Sequence, residues 1–238
     1  MKKFRFAALI LTLLVFAQPS ASLAAGTSFE PNWPANWLDA LKIDWKPVDD
    51  PQMRETCVGY FNKFAESFRP KALDQWLTWV NFVERFSMNG VRFGGTYDPV
   101  NRRIWSVCTR SLPEEYHVGN LHHEFSSILF YNNQKLFDRA RWIALTEGGE
   151  GAYLKSDKDR GFEQAEGALK SDELDPRLYA RGFLTPYNTV SVEEDFNRYA
   201  EYVFARPEML ARIGAEHQRV HGKIEYVKAF YRRLGLIR

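Results

Sequence analysis

Hydrophobic positions recur every three or four residues through much of this chain, which is the spacing of one helix face. Residues 54–68 carry Val58, Phe61, Phe64, Ala65 and Phe68, and Pro70 ends the run. Residues 71–88 repeat the pattern through Leu73, Trp76, Leu77, Val80, Val83 and Phe86, which predicts a second helix. Asn89-Gly90 is a turn signal, and residues 91–93 and 103–108 read as strands on either side of Gly94-Gly95-Thr96-Tyr97-Asp98-Pro99. Ile104-Trp105-Ser106-Val107 is the strongest strand pattern. Ser111, with Glu114 three residues later, forms a capping box that predicts a helix start. That helix carries Leu121, Phe125, Ile128 and Leu129, with Gly119 as its weak point.

Further helices are predicted over 134–145, 163–170, 175–179, 193–204, from Pro207 onward, and over 216–234. Ser191 opens the 193–204 helix, which carries Phe196, Tyr199, Ala200 and Val203. Residues 148–160 and 182–188 read as loops. Residues 25–51, rich in proline and tryptophan, read as an extended arm packing Trp33, Trp37, Leu41 and Trp45 onto the rest. The fold expected is α+β and mainly helical, with a small sheet.

The N-terminus changes the picture of where the chain works. Met1-Lys2-Lys3-Phe4-Arg5 precedes an apolar run from Phe6 to Ala17, then small residues at Ser22 and Ala24. This is the pattern of a secretory signal peptide, residues 1–24, leaving residues 25–238 as one domain with an N-terminal arm and C-terminal helices. The expected location is the periplasm or outside the cell. The apolar run is too short to span a bilayer, and no transmembrane segment is expected in the mature chain. Losing Lys2, Lys3 and Arg5 takes the formal charge from +2 to −1. That excludes a generic nucleic-acid binder, which needs a basic face. In an exported protein the two cysteines, Cys57 and Cys108, are most simply a disulfide. It would contribute about 4 kcal/mol in the chain-entropy model. Two buried free thiols are the alternative.

The candidate chemistry lies at Leu121-His122-His123-Glu124-Phe125-Ser126-Ser127. His123-Glu124 is the first half of the H-E-x-x-H zinc-hydrolase pattern, in which two imidazoles four apart share a helix face and one zinc. The glutamate then acts as general base for the metal-bound water. Ser127 stands where the second histidine belongs, and His122 points about 100° around the helix from His123.

Over roughly residues 91–238 the chain resembles the zinc-binding metallopeptidases related to the anthrax lethal factor protease domain. The features that carry this are the strand region from Gly94-Gly95-Thr96-Tyr97 to Val107, the helix Leu121-His122-His123-Glu124-Phe125, Tyr187 with Glu193-Glu194-Asp195-Phe196, and the closing stretch Lys223-Ile224-Glu225-Tyr226-Val227-Lys228-Ala229-Phe230-Tyr231. The resemblance implies a zincin-like domain whose edge strand flanks the motif helix. It implies zinc as cofactor, with His123 and Glu194 as metal ligands, Glu124 as general base and Tyr187 as oxyanion donor. It also implies that the edge strand near 104–107 holds a peptide or protein partner in a cleft, as an added strand.

The residues also have plainer readings. Glu194 fits a capping box with Ser191, and Tyr187 fits a packed loop aromatic. His217 and His221, four apart with Glu216 adjacent, fit a metal pair or, more simply, a solvated helix face; His117, near the motif helix, is the candidate replacement ligand, and His122 suits a hydrogen bond to neighbouring scaffold. Two functions stay open. One is a pseudopeptidase that binds peptide or a partner protein without efficient hydrolysis. The other is an active zinc peptidase with a replacement for the missing histidine.

Overall fold

The structure, a computed structural model, describes residues 25–154 and 173–238. The expected signal peptide and the helix expected over 163–170 lie outside these residues. The architecture is α+β and mainly helical, with a small mixed sheet.

The sheet is built around β3 (Trp79–Met88), where a helix was expected from the 71–88 pattern. The preceding residues form only a short 3-10 turn, Leu73–Gln75. Trp79, Val80, Phe82 and Val83 are β-branched or aromatic, which suits a strand. Val80 to Val83 are all buried, so this part shows no alternation of buried and exposed positions, and such short stretches are ambiguous in sequence. On one side β3 pairs in parallel with β1 (Gly26–Ser28) and antiparallel with β2 (Asp44–Pro47). The Asn89-Gly90 turn, with φ of 52° and 83°, leads to β4 (Val91–Phe93). Positive φ at both positions is what an Asn-Gly hairpin turn supplies.

The chain then passes the end of β6 (Arg103–Val107) and forms β5 (Gly95–Asp98) on its far side, antiparallel to it. β6 itself lies parallel to β3. The strand order is β1, β3, β6, β5, so 104–107 is an interior strand and not the edge. Its burial explains why: Ile104, Trp105, Ser106 and Val107 are all buried, as expected of a strand covered on both faces. The edge at this end is β5.

The arm packs as expected. Trp33 stacks on Trp105 with centroids 4.9 Å apart, and the Trp105 indole donates to the Pro31 carbonyl at 2.8 Å. The arm contains a short helix, α1 (Ala35–Ala40).

Helix α2 (Pro51–Glu66) starts at Asp50, whose carboxylate accepts from the Gln52 and Met53 amides. The Cys57–Cys108 disulfide ties α2 to the end of β6. Helix α3 (Glu114–Asn132) carries the motif. Its N-cap is Pro113, with no side-chain cap, so the Ser111 capping box does not form. Glu114 and Glu115 in the first turn favour the helix dipole instead. Gly119 leaves the helix unbroken and allows a close approach: a Cβ there would lie 3.0 Å from Glu201 Cγ.

After α4 (Arg139–Ala144) and α5 (Pro176–Tyr179), α6 (Val192–Ala205) packs against α3. The Ser191 hydroxyl caps α6 by accepting from the Glu194 amide at 3.1 Å. Helices α7 (Pro207–Glu216) and α8 (Gln218–Arg233) close the helical layer. No described helix is long and apolar enough to cross a membrane.

Candidate functional site

From Leu121 to Phe130 every residue of α3 is buried. Five of these are polar or ionisable: His122, His123, Glu124, Ser126 and Ser127. Burying such groups is costly unless each finds a partner. The partners come mainly from α6.

His123 lies between two carboxylates of α6. Its Nε2 donates to Glu194 at 3.1 Å, and its Nδ1 is 3.6 Å from Glu201. Burial works against a charged imidazole here, yet Glu194 and Glu201 outweigh it and hold His123 up at about 10. Burial likewise opposes the charge on both glutamates. His123 and Tyr187 still keep Glu194 below its ordinary value, and Arg198 and His123 do the same for Glu201. Arg198 donates to Glu201 at 2.7 Å and its guanidinium sits 5.1 Å from the Tyr187 ring centroid. Tyr187 lies beside Glu194, and its own titration is pushed well up by burial and by that carboxylate.

The cleft above this cluster is lined by Gly95, Asn120, His123, Glu124, Tyr187 and Glu201, among others. Glu124 is 7% exposed. Burial raises it to about 8 despite the nearby His123 charge. Gly95 is required where β5 meets α3, since a Cβ there would lie 2.6 Å from Glu124 Oε1 and from Asn120 Nδ2. Asn120 also donates to the Gly94 carbonyl at 3.1 Å and to the Ser106 hydroxyl at 3.0 Å, which fixes the strand to the motif helix.

The structure thus brings together His123, Glu124, Tyr187 and Glu194. Glu194 presents its carboxylate to His123, while its amide takes the Ser191 cap. The remaining histidines go elsewhere. His117 is held by the Val107 and Thr109 carbonyls at 3.1 and 2.9 Å and stacks on Tyr60. His122 faces Phe64, Phe68 and Phe204, with its Nε2 3.3 Å from the Ser67 hydroxyl. His217 packs on Tyr179 and His221 is exposed.

The expected zinc meets a different donor set from a catalytic site. Three protein ligands are usual there. Here Nε2 of His123 and the Glu194 carboxylate are two. Ser127 cannot supply the third: its hydroxyl accepts from the Asn197 amide at 2.7 Å, and Asn197 in turn accepts from Ser126 at 2.6 Å. Glu201 sits on the opposite nitrogen of the same ring, the position of an orienting carboxylate and not of a co-ligand. Among the described residues no group of three or more His, Cys, Asp or Glu side chains is arranged to hold a metal ion. The residues present do not make a three-ligand zinc site.

Arg198, Glu201 and Asn197 were not singled out in the sequence. Glu194, Arg198 and Glu201 stand at i, i+4 and i+7, one helix face, and that spacing was the available signal. A second buried network was also missed. Lys223 meets Asp195 at 2.5 Å and the Gly182 carbonyl at 2.8 Å. Asp195 also accepts from Trp142, Tyr153 and Asn188. Burial pushes Asp195 up and Lys223 down even against their mutual attraction. The network anchors α8, α4 and the 186–189 turn to the residue beside Glu194.

No protein-family model matches the sequence, and no curated protein matches it. In fold the chain is similar to the crystal structure of a "putative zinc-binding metallo-peptidase" from Bacteroides caccae, at 13% identity and a TM-score of 0.47, over 90% of this chain and 82% of that one.

Proposed function

We propose that this chain is an exported, metallopeptidase-like protein that binds an extended peptide or a partner's segment in the cleft, without zinc-dependent hydrolysis. The observation that carries the reading is the Ser127–Asn197 hydrogen bond, which occupies the missing ligand's position beside an otherwise assembled cleft. Binding would use β5, the strand at the end of the sheet, where antiparallel alternation aims the Gly95 peptide groups away from β6 and toward the cleft. The signal-peptide pattern and the Cys57–Cys108 disulfide support export.

The second reading, an active zinc peptidase, is favoured by one observation: His123 Nε2 and Glu194 converge at 3.1 Å with Glu124 in the same cleft. Zinc content after purification without chelator separates the two. The binding reading predicts far less than one zinc per chain in the wild type, and a gain in the double variant Ser127→His, Asn197→Ala, in which the obstructing amide is gone. One zinc per wild-type chain, lost in His123→Ala, would overturn it. Peptides selected for binding should lose affinity when alternate backbone nitrogens are methylated, because strand pairing needs those N–H groups.

A further inference from the structure

The Glu124 carboxylate has no hydrogen-bond or ion-pair partner among the described residues, although it is 7% exposed and lines the cleft. Its Oε1 lies against the backbone of β5, 2.6 Å from where a Gly95 Cβ would stand, so the strand offers it contact without a donor side chain. The neighbouring groups are already engaged. Glu194 and Glu201 hold His123, Arg198 is paired to Glu201, and Glu193 accepts from Tyr97. Glu124, Glu193, Glu194 and Glu201 face one another with His123 and Arg198 as the cations among them. Carboxyl groups outnumber cations here, and Glu124 is the cleft carboxyl without a hydrogen-bond or ion-pair partner among the described residues, so an added cation would stabilise its ionised form.

A divalent ion suits this arrangement poorly, since no three-donor set exists among the described residues. A primary ammonium needs no fixed coordination polyhedron and brings three donors on one small charged group. It could reach Glu124 from a peptide lying along β5. Resting on the peptide-binding reading above, we propose that the cleft floor seats a primary ammonium group of the bound peptide, a lysine side chain or a free N-terminus, with Glu124 as its carboxylate partner.

Calorimetric titration tests this with alanine-based hexapeptides blocked at both ends and carrying either lysine or norleucine at the third position. A third peptide carries norleucine and an unblocked N-terminus. In parallel, n-butylammonium is titrated while the Glu124 side-chain carboxyl resonance is followed by NMR. The lysine or the unblocked peptide should bind about tenfold more tightly than the blocked norleucine peptide, the scale of a charge-assisted hydrogen bond. Whichever peptide gains identifies the source of the ammonium. Glu124→Gln, shown to be folded by thermal unfolding, should lose that preference.

If peptides bind without preferring either ammonium, the ammonium site is wrong and the peptide reading stands. If no peptide binds but butylammonium shifts the Glu124 resonance, the ammonium site stands and the peptide reading fails. If neither happens, both fail.

Discussion

His122 and His123 are neighbours on α3, yet their surroundings drive them in opposite directions. His122 faces Phe64, Phe68 and Phe204, and burial lowers it to about 3. Its Nδ1 is buried without a partner among the described residues. His123 faces Glu194 and Glu201, which hold it up at about 10 although burial opposes them. Both rings are almost fully buried, so burial alone does not decide charge. The difference is the partner: an aromatic wall stabilises only the neutral ring, and carboxylates on both nitrogens stabilise the imidazolium. A rotation of about 100° along one helix separates these outcomes.

The charged face should be the more fragile. Glu201→Ala removes the partner shared by Arg198 and His123 and leaves both charges short of compensation. Breaking a buried pair in this way costs about 3–5 kcal/mol, read as a lower urea midpoint. Unchanged stability would mean the carboxylate contributes little to holding His123.

The aromatic face predicts a pH effect of known sign. Between about 6.5 and 3 the unfolded chain protonates His122 and the folded chain does not. Its contribution is therefore present above pH 6.5 and is lost as pH falls toward 3, at about 1.4 kcal/mol per pH unit. His123, raised to about 10, acts in the other sense: its contribution is present below 6.5 and is lost as pH rises through 10. His122→Phe should flatten the acid side of the stability curve by about 2 kcal/mol between pH 6.5 and 5. A variant whose curve keeps the wild-type slope would show that His122 is not buried as a neutral ring.

A smaller effect should come from the turn below. Ser127→Ala leaves the Asn197 amide without its acceptor and should cost about 1 kcal/mol in thermal or urea unfolding. Asn197→Ala should cost at least as much, because Ser126 and Ser127 both lose a partner.

The parts legible in the sequence were those carried by helical periodicity. The 121–130 stripe and the Ser191 cap placed His123, Glu124 and Glu194 on two helices, with Tyr187 in the loop before the second; that the two meet was implied only by the family resemblance. The even cysteine count anticipated the Cys57–Cys108 bond. What failed has physical causes. Residues 80–83 are buried on both faces, which removes from the middle of the strand the two-residue alternation that marks one. Residues 104–107 showed as a strand through their β-branched and aromatic residues, but nothing local told an interior strand from an edge, and the real edge, Gly95–Asp98, is glycine-bearing and inconspicuous. Arg198 and Glu201 drew no attention in the sequence, since nothing local shows that Gly119 lets α6 come so close. Asp195 and Lys223 are distant in sequence, and only the fold brings them together.

Imidazole nitrogen shifts of the protein purified without chelator, recorded at pH 8 with and without one equivalent of zinc, test the central claim most directly. His123 should show both ring nitrogens protonated in both samples, with His122 neutral beside it. A neutral His123 whose nitrogen shift moves to that of a metal-bound imidazole on adding zinc would contradict the account.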